Sequence, residues 1–380
     1  MYNQYFGESH DMLRASVRKF VEREIKPFID QWEEEESFPR ELYKKAGEAG
    51  FLGLSYPEEY GGTPADIFHE VAYIEEIIRC GSIGLASGLS SNSIAVPPIL
   101  ALGSEEQKQK YIPPVLAGDQ IAVLGVTEPS GGSDVANLLT RAVHDGDKYI
   151  VNGSKTFITS GVRADYVTTA VRTGGPSHSG ISLLIIERGT PGFTVSRKLK
   201  KMGWWASDTG ELSFADCEVP AENLLGEENK GFIGIMVNFQ KERLYLAVMA
   251  HTAAEIALEL SINYAKERTA FGKTLTGFQV TRHKLAEMAT SIEAARQFDY
   301  NVAAKIGNGE EAYKEVCMAK NFATKICDKV VYDAVQIHGG YGYCREYLVE
   351  RLYRDSRLLS IGGGTYEIMN EVISKFMGLR

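Results

Sequence analysis

From Ile121 to about Gly226 the chain consists of short runs rich in β-branched residues separated by turn dipeptides. On either side, apolar residues recur every three or four positions. A period of two and a period of 3.6 cannot belong to one element, so the change of texture near Asp119 and its reversal near Lys230 divide the chain into α, β and α regions. In the first region Leu13, Val17, Phe20, Val21 and Ile25 predict a helix over Met12–Lys26 that Pro27 ends or bends. Further helices are predicted over Glu41–Gly50, Ile67–Ile78 and Glu105–Leu116, the last with Ser104 as its N-cap. In the second region Asp145-Gly146 and Asn152-Gly153 both suit type I′ hairpin turns. The spacing of Tyr166–Val171, Ile181–Ile186, Phe193–Val195 and Glu211–Phe214 points to an antiparallel barrel or sandwich. In the third, Ile235–Ala265, Phe278–Ile306, Glu311–Ile337 and Thr365–Met377 read as helices.

Composition narrows the class of protein without naming a chemistry. Hydrophobic residues make up 44% of the 380, which excludes intrinsic disorder. The balance of 41 Lys and Arg against 50 Asp and Glu leaves −9, a poor match for a nucleic-acid backbone. Five cysteines, Cys80, Cys217, Cys317, Cys327 and Cys344, are scattered and form no CxxC pair. No structural metal site or disulfide framework is therefore expected, and the compartment is expected to be reducing. Met1 to Met12 is polar and carries Glu8 and Asp11, unlike a signal or transit peptide, so the expected location is cytoplasmic. Cys80–Ser104 is uncharged, but its serines and Pro97-Pro98 make it a buried, pocket-lining region rather than a transmembrane segment.

No GxGxxG follows a strand. Gly272-Lys273-Thr274 is no P-loop, because Glu267 stands where its first glycine belongs. The most informative residue is Glu242. It fills the missing step in an apolar seam of Ile235, Phe239, Leu246, Met249, Ala253, Ile256 and Leu260. A carboxylate there is costly unless paired, and Arg243 offers a structural ion pair; a catalytic carboxylate is the functional alternative. Thr127-Glu128-Pro129-Ser130-Gly131-Gly132-Ser133-Asp134 suits close approach to a phosphate or heterocycle, or is a polar loop. Ile361-Gly362-Gly363-Gly364-Thr365 leads into a helix start able to bind an anion, or is a flexible connection. Gln336-Ile337-His338-Gly339-Gly340 serves equally as a plain C-cap.

Taken in order, VTEPSGGSD (126–134), NGSKTFITSG (152–161), DTGELSFADCEVP (208–220), ERTAFGK (267–273), QIHGGYGY (336–343) and GGGTYEIM (362–369) resemble the acyl-CoA dehydrogenase family over essentially the whole chain. LLGEENKGF (224–232), QKERL (240–244) and YEIMNEVI (366–373) resemble its long-chain branch. The resemblance implies an α+β multidomain fold: an N-terminal helical domain over 1–120, a middle antiparallel β-barrel or sandwich domain over 121–228, and a C-terminal four-helix bundle over 229–380. It implies FAD as cofactor, held by Val126, Thr127, Ser133, Phe157, Thr159, Thr365 and Glu367. Arg268, Phe271, Gln279, Gln336 and Gly340 would reach the cofactor from a neighbouring subunit of a homotetramer. Ser133, Gln240, Arg243 and Gly364 would meet the acyl-CoA substrate.

Most members of the family carry their catalytic glutamate just before the Gly-Thr pair, where this chain has Gly363. The long-chain and isovaleryl branches take the base from the first long C-terminal helix, and Glu242 matches that position. The implied reaction is removal of an α-proton by Glu242 and of a β-hydride by flavin, giving a trans-2-enoyl-CoA. Electrons then pass to an electron-transfer flavoprotein. Two alternatives stay open: an acyl-CoA oxidase or other oxygen-using flavoenzyme on the same fold, and a non-catalytic acyl-CoA-binding protein. Medium, long and branched acyl chains all remain possible substrates. Trp204-Trp205 either narrows the site or lies at a surface, and Arg197–Lys201 either attracts phosphates or is a solvated edge.

Overall fold

Asp66 caps the helix Ile67–Ile77 by accepting the Phe68 and His69 amides at 3.0 Å each, and Ser104 with Gln107 closes a capping box on Glu105–Leu116. These caps begin two of the N-terminal helices in the computed structural model, which describes residues 4–379. The expectation drawn on the segment from Met1 falls partly outside them. The elements are α1 (Glu8–Phe20), α2 (Glu41–Glu48), α3 (Ile67–Ile77), α4 (Ile83–Leu89) and α5 (Glu105–Leu116). Past Phe20, α1 widens into one π turn, Val21–Ile25, closed by Lys26 N–H on Val21 O at 2.9 Å. Pro27 follows and has no N–H with which to continue the helix. Between α4 and α5 lie Asn92–Ala95 and Pro97–Leu102, bent by 50° from α4. Pro97 and Pro98 begin the second of these rather than breaking it, since the first helical positions need no N–H donor.

The middle region forms one seven-stranded sheet ordered β1-β4-β2-β3-β7-β6, with β5 also paired to β4. The strands are β1 (Ala122–Gly125), β2 (Arg141–Asp145), β3 (Lys148–Thr159), β4 (Tyr166–Arg172), β5 (Ile181–Glu187), β6 (Phe193–Lys198) and β7 (Thr209–Pro220). The sheet is mixed rather than wholly antiparallel: most pairings are antiparallel, but β1 and β2 each join β4 in parallel, the β2–β3 hairpin lying between β1 and β4 in sequence. The turn of β2 into β3 falls one residue later than expected: Asp145 still pairs with Lys148, and Gly146, with φ +66°, and Asp147 form the turn. Asn152-Gly153 does not turn: β3 runs straight through it with a register shift against β7. Gly153 is needed because a Cβ there would fall 2.6 Å from Thr140 Oγ1, and Asn152 spans the bulge by bonding Asp216 N–H at 2.8 Å.

The C-terminal region holds α6 (Gly231–Glu267), α7 (Gln279–Gly307), α8 (Tyr313–His338), α9 (Leu348–Ser356) and α10 (Tyr366–Phe376), with a hairpin of Thr269–Ala270 and Lys273–Thr274 after α6. By length and composition α6 could cross a membrane, but two-thirds of its most apolar window is packed inside the protein. Its deepest face is Leu244, Ala247, His251, Ala254 and Ser261, all fully buried. The seam that carries Glu242 runs along the margin of that face.

A buried polar clasp joins the two helical regions. Glu75 on α3 accepts from Arg14, from Tyr300 Oη and from His251 Nε2 at 3.2 Å, while His251 Nδ1 meets Asp299 Oδ2 at 2.7 Å. Burial works against the His251 charge, yet its two carboxylate partners raise its pKa to about 9. Burial likewise opposes the Glu75 charge, but His251 and Arg14 bring its pKa down to about 2. Asp299 is the weak member. Burial lifts its pKa to about 6, and its Oδ1 has no partner among the described residues.

Candidate active site

The α6 margin places Glu242 against the glycine run that leads into α10. An ideal Cβ on Gly363 would lie 3.5 Å from Glu242 Oε1 and 2.4 Å from Leu246 Cδ1. Among the described residues no hydrogen bond or ion pair reaches the Glu242 carboxylate. Burial raises its pKa, although the charges of Arg243 and Lys320 pull the other way. Arg243, weighed above as its structural partner, turns elsewhere. Its Nε points to Gly363 O at 3.4 Å, its Nη1 to Cys317 Sγ at 3.6 Å, and its guanidinium lies 5.0 Å over the Phe239 ring. An unpaired carboxylate with a raised pKa beside a conformationally special backbone is the profile of a proton acceptor.

Gly363 and Gly364 have φ of +62° and +95°, the left-handed region that favours glycine. Gly363→Ala is expected to lose about 1–3 kcal/mol of stability from the backbone conformation, and to push Leu246 toward Glu242. Gly362→Ala is the control. Its φ is ordinary and its new methyl would meet Leu358 O at 3.6 Å, so its thermal melt should stay close to that of the parent.

The loop that opens the β region is held from inside. Glu128 is buried and accepts the amides of Leu139 and Thr140 at 2.6 and 2.8 Å and the Lys155 ammonium at 2.8 Å. Burial pushes the Glu128 carboxyl up, but Lys155 and these bonds outweigh it and leave the pKa lowered. Lys155, fully buried, also donates to Val126 O at 3.0 Å, and Thr127 O accepts the Thr156 amide at 2.9 Å. The loop thus enters the site braced, with Ser133 exposed at its far side. Two residues past Lys155, Phe157 has φ +59° and is 68% exposed at a register shift between β3 and β7. A bulky residue in that conformation is an outlier that the surroundings must enforce. It presents a bare aromatic face beside the braced loop, as a platform for a flat heterocycle, and Thr159 follows on the same strand, half-buried.

Thr365 caps α10 by accepting the Ile368 amide at 3.3 Å, and Glu367 is exposed in its first turn. The Gln240 amide oxygen accepts Ala312 N–H at 3.2 Å, which leaves its NH2 group for a ligand. Arg268, Phe271, Gln279, Gln336 and Gly340 are all exposed at the opposite end of α6, with Arg268 5.9 Å from the Tyr341 ring and Phe271 97% exposed at the hairpin tip. Glu242 and Arg268 are 26 residues apart along the helix, about 39 Å at 1.5 Å per residue. Glu242 and Arg268 are thus too far apart on one chain for a single dinucleotide to touch both.

Three features resolve differently from their simplest reading. Trp204 and Trp205 form a joint: Trp204 is buried with Nε1 on Asp355 O at 3.0 Å, and Trp205 lies under Arg354 at 3.7 Å and Arg345 at 4.5 Å. Within Arg197–Lys201, Arg197 pairs with Glu211, and Lys198 and Lys201 donate to Glu36 O and Ser207 O at 2.6 Å each. His10, Asp66 and His69 converge closely enough to suggest a metal site. However, Gly7 N–H donates to His10 Nδ1 at 2.9 Å, which puts the proton on Nε2, the His10 nitrogen that faces Asp66 beside His69 Nδ1.

The residues missed in the sequence are Lys320, Lys155 and Glu128. Lys320 is fully buried on α8 and donates to Gly362 O at 2.5 Å and to Gly364 O. The signal was available: Lys320 interrupts the apolar face of Val316, Cys317, Ala323 and Cys327 just as Glu242 interrupts its own.

Three family models match, described as the N-terminal, middle and C-terminal domains of acyl-CoA dehydrogenase, at residues 7–119, 123–217 and 229–378. A crystal structure of a probable acyl-CoA dehydrogenase from Mycobacterium abscessus is 53% identical, with a TM-score of 0.97 over 98% of this chain and 100% of that one. The long-chain specific acyl-CoA dehydrogenase of Sus scrofa is 42% identical over 97% of this chain and 86% of its own length. The caffeyl-CoA reductase-Etf complex subunit CarC of Acetobacterium woodii is 39% identical over 97% of this chain and 98% of its own. With an unpaired carboxylate facing a glycine run, a strained and uncovered aromatic beside a braced loop, and these matches along its length, the chain belongs to the acyl-CoA dehydrogenase family of FAD-dependent oxidoreductases.

Proposed function

We propose that this protein catalyses α,β-dehydrogenation of a medium-chain, long-chain or branched acyl-CoA, with Glu242 as the base. The observation that carries this reading is the Glu242 carboxylate, unpaired and raised in pKa beside Gly363. Val126, Thr127, Ser133, Phe157, Thr159, Thr365 and Glu367 would hold FAD at this end of α6. Bound FAD supplies a hydride acceptor for the substrate β-carbon. Glu242 takes the α-proton, the carbon–carbon double bond forms between the two centres, and a trans-2-enoyl-CoA leaves. Ser133, Gln240, Arg243 and Gly364 orient the thioester.

Arg268, Phe271, Gln279, Gln336 and Gly340 complete the cofactor site of another copy of the chain in a homotetramer. The separation along α6 supports that division. An electron-transfer flavoprotein is the proposed electron acceptor, supported by the Etf complex to which the caffeyl-CoA reductase relative belongs. Five unpaired cysteines, four of them buried, fit a reducing cytoplasmic setting, where the product would feed fatty-acid β-oxidation.

Anaerobic titration of the holoenzyme with a graded series of straight and branched acyl-CoAs tests this reading. Flavin absorbance should bleach with saturated substrates and select among their lengths. A protein that bleaches with none of them, but whose reduced form is reoxidised by an aryl-acryloyl-CoA, would be a reductase instead.

A further inference from the structure

Lys320 carries a charge that nothing in the proposed reaction uses. It is fully buried on α8 with no carboxylate in ion-pair contact among the described residues, and burying an ammonium that way is expensive. Burial brings its pKa down to about 8, even though the charge of Glu242 acts in the opposite sense. Its two bonds go to the carbonyls of Gly362 and Gly364, and Arg243 takes the carbonyl between them. Three consecutive carbonyls therefore face two buried cations.

A peptide unit is planar and trans, so its N–H points opposite to its C=O. The carbonyl of Gly362 shares its unit with the amide of Gly363, and the carbonyl of Gly363 with the amide of Gly364. With those carbonyls drawn toward Lys320 and Arg243, the Gly363 and Gly364 amides are turned away from the cations. Neither amide has an acceptor among the described residues. Both glycines are half-buried, and two successive amides partly withdrawn from solvent and without partners beside Glu242 form a ready site for an oxyanion.

We propose that Lys320 is a positioning residue: it clamps the Gly362 and Gly364 carbonyls so that the Gly363 amide is held toward the thioester oxygen as enolate charge develops. The cation also polarises the peptide it binds, which makes the amide on the other side of that peptide a stronger donor. The inference rests on the dehydrogenation reading above.

The test uses the holoenzyme and a 3-thia-acyl-CoA, whose α-proton is acidic but which cannot complete dehydrogenation. Its α-anion, stacked on oxidised flavin, gives a long-wavelength absorption band. Lys320→Met should retain flavin and a normal melt, keep KM within a few-fold, lose roughly 10- to 100-fold in kcat and lose most of the band. Lys320→Arg should recover part of both. If the Met variant does not fold, Lys320→Gln, which keeps a neutral donor, should still lose the band at least about tenfold. A wild-type band and kcat in the folded Met or Gln variant would overturn the assignment alone. Absence of both bleaching and band in the parent protein would overturn the proposed reaction and this assignment with it.

Discussion

Glu242→Gln should bind FAD and melt no lower than the parent, yet reduce its flavin roughly 10²- to 10⁴-fold more slowly with any acyl-CoA, the range that a positioned general base contributes. The amide matches the carboxylate in shape, so the pocket keeps its form. Removing an unpaired, half-buried charge relieves a cost rather than adding one. In the parent, the rate of flavin reduction should climb with pH through the raised pKa of Glu242, because only the ionised form accepts the α-proton. That limb should vanish from the residual rate of the variant. Stopped-flow reduction across pH measures both, and undiminished reduction by Glu242→Gln would remove the residue from the base position.

The second large effect falls on stability. Glu75→Gln strips the clasp of its central charge, leaving Arg14 with only its longer approach to Glu76 and His251 with Asp299 alone. Breaking a buried pair from one side costs about 3–5 kcal/mol. The pH dependence has a definite sign. His251, raised from 6.5 to about 9, contributes stability that is complete below pH 6.5 and lost as pH rises through 9. Glu75, lowered from 4.5 to about 2, contributes stability present above 4.5 and lost as pH falls through 2. Asp299, raised from 3.8 to about 6, contributes stability that is complete below 3.8 and lost as pH rises from there through 6. The clasp is therefore tightest in a window around pH 4.5, where the Glu75 contribution is complete and the Asp299 contribution has begun to fall. Urea melts of parent and variant should differ most in that window and converge toward both extremes. Parallel curves at every pH would show that the clasp adds nothing.

The order of regions was legible because periodicity is a statement about which face is buried, and it survives without knowledge of partners. The capped start of Glu105–Leu116 and the interruption at Glu242 were legible for the same reason. Asn152-Gly153 was not, because an identical dipeptide serves a turn or a bulge, and only the distant Thr140 backbone decides which. Glu75 and His251 lie 176 residues apart, so neither announces the other. Glu128 and Lys155 form a pair of the same kind, 27 residues apart and joined only when β3 folds beside the loop. Phe157 was reached through resemblance alone, since its backbone conformation and exposure arise from a register shift that no local pattern encodes.

The spacing between Glu242 and Gly363 also constrains how a base could change its address during descent. A side chain at 363 would emerge 3.5 Å from the Glu242 oxygen, so a chain that gained a carboxylate there before losing Glu242 would hold two acids in one small volume. One of them would have to keep its proton. A chain that lost Glu242 first would have no base, and one that gained side-chain bulk first would meet Leu246. Either order passes through a poor enzyme. On the proposed assignment of Glu242 as the base, a helix address and a loop address for it are therefore separated by steps that single substitutions do not cross cheaply, and Gly363 goes with the helix address.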